Sequence, residues 1–206
     1  SLHDALPISI LLTIAVPNVI GVSKKIRKNM YCSKIEDIEM PALSVKKALT
    51  NDTRLALAND NVRGSIRLRG ARLDSLYLKK YKETLDADSS EIELLTPAKT
   101  ALPYYADMGW VSTDPNIKVP NSNSVWTVKQ AALSPDSPVT LEWDNGQGLK
   151  FIRRISIDGS YLFKIQQSVE NNTSKEVILY PYALISKTVE TTDLPSSVFH
   201  EGMIGV

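Results

Sequence analysis

The sequence predicts an all-β fold, a layered sandwich of short strands. Three observations carry this. Apolar residues recur at every second position in Val139-Leu141-Trp143, in Phe151, Ile155 and Ile157, and in Tyr161, Phe163, Ile165 and Val169. A period of two marks a strand with one buried face. The runs are separated by Asp144-Asn145-Gly146-Gln147-Gly148 and by Asp158-Gly159. Asn-Gly and Asp-Gly supply the positive φ of tight hairpins, so residues 138–170 read as an antiparallel meander. Further short strand-like segments, each bounded by turn residues, occupy much of the remaining chain.

The elements follow in order. Residues 1–9 (SLHDALPIS) resemble translated sequencing-adapter DNA and are set aside as foreign. Ile8 to Val22 is apolar and uncharged, interrupted by Pro17 and followed by Lys24, Lys25, Arg27 and Lys28. A spanning helix needs about 20 such residues, so this run reads as a remnant signal-anchor, a membrane-surface segment or misread sequence. Asn29 to Asp60 reads as a linker, with a turn or two of helix from Ser44 to Thr50 capped by Ser44. From Asn61, Ile66 and Leu68 and then Leu73, Leu76, Leu78 and Tyr81 form a hairpin broken at Gly70. Strands are expected at Glu91–Thr96, at Tyr104–Ser112 with a bulge or close contact at Gly109, and at Val125–Val128. Gln130 to Ser137 reads as a connection with a Pro135-Asp136 turn. Val177 to Ile185 (VILYPYALI) is apolar on both faces, which predicts a central or covered strand. Pro181 within it requires a bulge or an edge, because proline cannot donate to a ladder. Val198 to Val206 reads as one more strand, and the chain is expected to be cut at both ends.

Composition narrows the function. Lys and Arg number 24 against 23 Asp and Glu, a net charge of +1, which argues against a nucleic-acid-binding domain. Cys32 is the single cysteine, so no internal disulfide can form, and His3 and His200 are the two histidines, too few for a structural zinc site of Cys and His. His200 and Glu201 are adjacent, so on a strand they point to opposite faces and cannot act as one dyad. Glu142 and Asp144 flank Trp143 without a partner that would make them an acid-base pair. Trp110, Trp126, Trp143, Tyr104 and Tyr105 sit on strand-like segments and read as core in preference to a stacking platform. The doublets Lys24-Lys25, Lys79-Lys80 and Arg153-Arg154 read as solvated strand faces. Asn51-Asp52-Thr53 and Asn171-Asn172-Thr173 fit the glycosylation sequon, too short a pattern to carry weight. No catalytic, cofactor-binding or metal-binding residue is assigned.

Two long stretches resemble a known family. VRGSIRLRGARLDSLYLKKYKETLD (Val62 to Asp86), with ALPYYADMGWV (Ala101 to Val111), is similar to the start of the large periplasmic domain of YidC-type membrane protein insertases in their alphaproteobacterial form. VTLEWDNGQGLKFIRRISIDGSYLFKIQQSVENNTSKEVILYPYALISK (Val139 to Lys187), followed by FHEGMIGV (Phe199 to Val206), is similar to its middle. The resemblance covers about Arg54 to Val206. It implies a β-supersandwich related to the sugar-binding sandwich of galactose mutarotases. It also implies a multi-pass bacterial inner-membrane parent, with this domain in the periplasm. The family's membrane core, with its groove arginine, has no counterpart here, and no residue is carried over from it.

The expected division is therefore 1–9 artefactual, 10–53 apolar segment and linker, and 54–206 the first part of the periplasmic domain. The implied function is assistance in inserting and folding integral membrane proteins, alone or with the Sec translocon. The expected partners are translocon subunits, nascent membrane proteins and the inner membrane, with no nucleic acid, small-molecule substrate or cofactor. Such work needs no covalent chemistry. The alternative is a mutarotase-like protein that binds or epimerises sugars on the same fold, because fold alone does not fix function. A half-sandwich should also leave apolar patches and open edges that favour aggregation.

Overall fold

The computed structural model describes residues 10–15, 42–86 and 88–188. These described residues form one short helix, α1 (Val45–Thr50), and twelve strands in two sheets. Ser44 caps α1 as expected, its hydroxyl accepting from Lys47 N at 3.4 Å.

The first sheet has the order β1 (Ile10–Ala15), β11 (Leu162–Asn171), β10 (Leu149–Ile157), β9 (Val139–Asp144), β7 (Thr127–Val128). Its centre is the predicted meander. Val139, Leu141, Phe151, Ile155, Phe163 and Ile165 are all buried, so one face of three strands is apolar except at Arg153 and Gln167. The turns differ from the simple reading. The β9–β10 loop spans residues 145–148, with Gly146 and Gly148 at φ +69° and +89°. Buried Asn145 organises it: its Oδ1 accepts from Gln147 N and Leu149 N, and its Nδ2 donates to Lys118 O at 3.0 Å. The β10–β11 loop needs no positive φ at Gly159. Asp158 Oδ1 instead accepts from Ser160 N and Leu162 N at 2.8 and 3.0 Å, so a side chain closes that turn.

The second sheet has the order β12 (Leu179–Lys187), β6 (Tyr104–Ser112), β4 (Arg72–Lys82), β3 (Val62–Arg67), β2 (Arg54–Ala58), β8 (Ala132–Leu133), with β5 (Glu91–Leu95) also paired to β4. The β3–β4 hairpin, β5 and β6 lie where the sequence placed them. β2 and β8 lie in stretches read as linker and connection. Both are short, and they pair in parallel, Ala56 with Ala132 and Leu57 with Leu133. Leu55 and Leu57 alternate into the core. The inner faces of both sheets share one core, in which Trp110 meets Phe151 edge-on at 5.0 Å and Trp126 at 6.3 Å.

Two expectations are corrected. Among the described residues β12 is neither central nor covered: there it pairs with β6 alone and forms the edge of its sheet. Its apolar character on both faces is nonetheless real, and Pro181 explains the placement. Met108 N donates to Asp107 Oδ1 and Met108 O accepts from Arg153, so the Met108 main chain faces away from β12. Antiparallel pairs alternate, so Trp110 faces the same way, and Pro181 opposite it turns its nitrogen to the free edge. No ladder bond is lost there. The second correction concerns the apolar run from Ile8 to Val22. Its described part, Ile10–Ala15, is a strand paired to β11, Leu12 opposite Ile165. Among the described residues no helix is long and apolar enough to cross a membrane. Val198–Val206, with His200 and Glu201, lies outside the described residues.

Candidate functional site

Arg153 lies inside the sandwich, which overturns the reading of Arg153-Arg154 as a solvated doublet. The doublet splits because neighbours on a strand face opposite ways. Arg154 is exposed, whereas Arg153 is 0 % exposed and takes an inward position of β10. Its Nη1 donates to Ala71 O, and its Nη2 donates to Met108 O and, at 3.3 Å, to Gln167 Oε1. The guanidinium stands 5.0 Å from the Trp126 ring centre. Burial pulls its pKa down to about 10, with the charge of Asp107 acting the other way, so it stays cationic at neutral pH. Among the described residues no carboxylate pairs with it. Carbonyl dipoles and an aromatic face carry the charge instead.

The two carbonyls have a specific origin. Leu73 opposite Ala106 is the single register pair between β4 and β6. In an antiparallel ladder the next pair would set Ala71 opposite Met108. Ala71 sits at φ 50°, in the left-handed turn that starts at Gly70 (φ +82°), and cannot extend the ladder. The arginine of the opposite sheet enters that missing rung and satisfies both carbonyls. Alternation alone assigns position 153 to the interior. What it cannot supply is the partner, because the missing rung belongs to the other sheet.

The opposite face of the second sheet is ionic. Asp52 binds Arg67 Nη2 at 2.7 Å and Arg69 Nε at 2.6 Å, Arg54 pairs with Asp74, and Arg72 with Asp107. Arg63 bonds Glu91 at 2.6 Å and stacks over Tyr77 at 4.3 Å. Burial pushes the Asp52 carboxyl up, but its two arginines outweigh this and hold it below the usual range. The Tyr77 hydroxyl is pushed up to about 12, by burial and then by its bond to Glu93. Each of these arginines has a carboxylate partner, with Asp52 shared by two, so among the described residues their charges are engaged with one another.

A shallow concavity of about 320 Å³ lies at the β7 side of the first sheet, lined by Val125, Thr127, Glu142, Trp143, Asp144 and Lys150. Here the structure brings the Glu142–Trp143–Asp144 trio to one place, but its polar groups serve one another. Glu142 binds Lys150 at 3.2 Å, Thr127 Oγ1 donates to Glu142 O, and Asp144 Oδ1 accepts from Gly146 N at 2.7 Å. Trp143 leans on Phe151 at 5.6 Å, and Trp110 and Trp126 are buried, as core residues. Tyr104 and Tyr105 are half-buried, Tyr105 under the Arg72 guanidinium at 4.2 Å. Among the described residues no group of three or more metal-ligating side chains converges.

The remaining candidate is the β6–β12 margin. Tyr180 and Val111 face each other there at 54 % and 52 % exposure, and Ile178, Leu184 and Ile185 are also open. Tyr182 lies across Gly109, where any side chain would collide with its ring at under 3 Å. The contact expected at Gly109 is thus with the edge strand. This margin is open and apolar, and among the described residues it carries no converging set of metal-ligating side chains.

Comparison with known proteins fits that description. Residues 54–206 match the family described as the YidC periplasmic domain. The chain belongs to this family. It is 46% identical over 165 residues to the membrane protein insertase YidC of Beijerinckia indica, covering 80% of this chain and 27% of that protein. It is 43% identical over 153 residues to that of Granulibacter bethesdensis, covering 74% and 26%. With that of Rickettsia prowazekii it shares 37% over 180 residues, covering 86% and 32%. The chain therefore spans between about a quarter and a third of the length of these relatives. In this YidC periplasmic domain, α1 and β1 lie ahead of the family match, and β2 opens it.

Proposed function

We propose that this chain is the accessory periplasmic part of a bacterial inner-membrane insertase, and that it docks partners while other parts of the protein handle clients. On this reading residues 54–206 form the first part of the periplasmic domain, and residues 10–53 lead into it. The whole protein assists insertion and folding of integral membrane proteins, alone or with the Sec translocon. The observation that carries the reading is the family match over residues 54–206, joined to 46% identity with a named insertase. The physics agrees. Insertion lowers the cost of moving polar flanks through hydrocarbon while apolar helices enter lipid, and it breaks no covalent bond. A domain whose tryptophans are packed in its own fold, and whose β6–β12 margin groups Val111, Ile178, Tyr180, Leu184 and Ile185 in the open, is suited to holding.

The test is site-specific photocrosslinking in native membranes. A photoreactive residue at Tyr180, Leu184 or Val111 should yield adducts with translocon subunits, and one at Lys150 or Arg154 should not. Equal labelling from all five positions, or none from the margin, would remove the β6–β12 surface from the account.

A further inference from the structure

We propose that β6 and β12 form a two-stranded ribbon that opens as a unit, and that Arg153 and Gln167 are its latch. The two strands pair continuously, from Leu179 opposite Ser112 to Lys187 opposite Tyr104. The attachment of this ribbon to the rest of its sheet is confined to one end. Tyr104 exchanges main-chain bonds with Thr96 at 2.7 and 3.1 Å, and Ala106 pairs with Leu73. Beyond Ala106 the ladder to β4 stops. From there to Ser112 the ribbon has no main-chain partner on the β4 side among the described residues.

Side chains take over at that free end. Arg153 of β10 donates to Met108 O of β6. Gln167, its cross-strand neighbour on β11, accepts from Arg153 and donates through Nε2 to Tyr182 O of β12 at 3.4 Å. The first sheet therefore holds one carbonyl on each strand of the ribbon. Arg72 adds a third tie through Asp107. Trp110 supplies the apolar contact, packed between Trp126 and Phe151. A ribbon joined to its sheet at one end and clasped by a few side chains at the other is built to open locally while the meander stays shut. Opening swings the exposed apolar residues of β12 while the main-chain ladders among β2, β3 and β4 stay paired.

Hydrogen exchange by mass spectrometry on the full chain tests this. The amides bonded across the ribbon, those of Gly109, Val111, Tyr180 and Tyr182, should exchange together, about tenfold or more faster than the ladder amides of β3 and β10. Arg153→Met should speed both ribbon segments by about a further tenfold, with β10 and β11 changed less than about twofold. Arg153→Lys, which keeps the charge but not the two-carbonyl geometry, should fall between. Should Arg153→Met fail to fold, Gln167→Leu gives the same test: the Tyr180 and Tyr182 amides should exchange several-fold faster at unchanged overall fold. Uniform acceleration across both sheets, or no change in the ribbon with either variant, overturns the proposal.

Discussion

The two sheets of this domain are held together by different means. In the first, β9, β10 and β11 run in unbroken antiparallel register, and their inner positions are apolar except for Arg153 and Gln167. In the second, β3 and β4 slip register at a bulge, β5 pairs with β4 irregularly, and β6 touches β4 at one pair. What the second sheet lacks in ladder it recovers with side chains: the arginine-carboxylate pairs on one face and the Arg153 rung on the other. Regular alternation makes a sheet that needs no help. An interrupted sheet needs named polar residues in fixed places, and each is a point of failure.

Substitutions should separate the two modes. The largest loss is expected in the regular sheet. Phe151 is fully buried against Trp110 and Trp143, so Phe151→Ala should cost about 3–5 kcal/mol in a denaturant melt. Gly64→Ala comes next. A Cβ there would stand 2.1 Å from the Ser75 carbonyl, so β3 must move off β4, at about 1–3 kcal/mol. Asp52→Asn should cost about 1 kcal/mol at neutral pH by weakening its bonds to Arg67 and Arg69. The Asp52 carboxyl is depressed in the folded state, so its contribution is present above the ordinary value of 3.8 and is lost as pH falls through the lower folded value. Variant and parent melts should therefore converge at the acid end. The smallest effect is at Gly159, which has ordinary φ and open space around a Cβ. Gly159→Ala should be neutral or stabilise by up to about 1 kcal/mol. A clear loss there would restore the positive-φ hairpin that Asp158-Gly159 suggests in sequence.

The same contrast decides how much was legible. The meander was readable because period-two patterning and Asx-Gly turns are local signals, and all three strands carry them. β6 was readable for the same reason, and Ser44 announced α1. β2 was missed because it offers two inward leucines after a polar stretch, and β8 because it is two residues long. The sequence of β12 shows apolar residues on both faces but not the strand's place in the sheet. Burial is the ordinary inference from such a pattern, whereas here Tyr180, Leu184 and Ile185 remain open. Arg153 was misread because a doublet of cations suggests solvent. Its true partners, Ala71 and Met108, lie far off in sequence, in a gap that no local pattern encodes. The candidate surface was invisible for a related reason. It depends on which strand ends at an edge, and that is set by long-range pairing.

The central claim is that this domain docks while the work on client proteins is done elsewhere in the full-length insertase. Removing residues 54–206 from the full-length protein and following insertion of a dependent membrane protein in depleted cells tests it most directly. The account predicts that insertion of a simple client persists while crosslinks to translocon subunits fall away. Loss of insertion as complete as that from depleting the whole protein would contradict it.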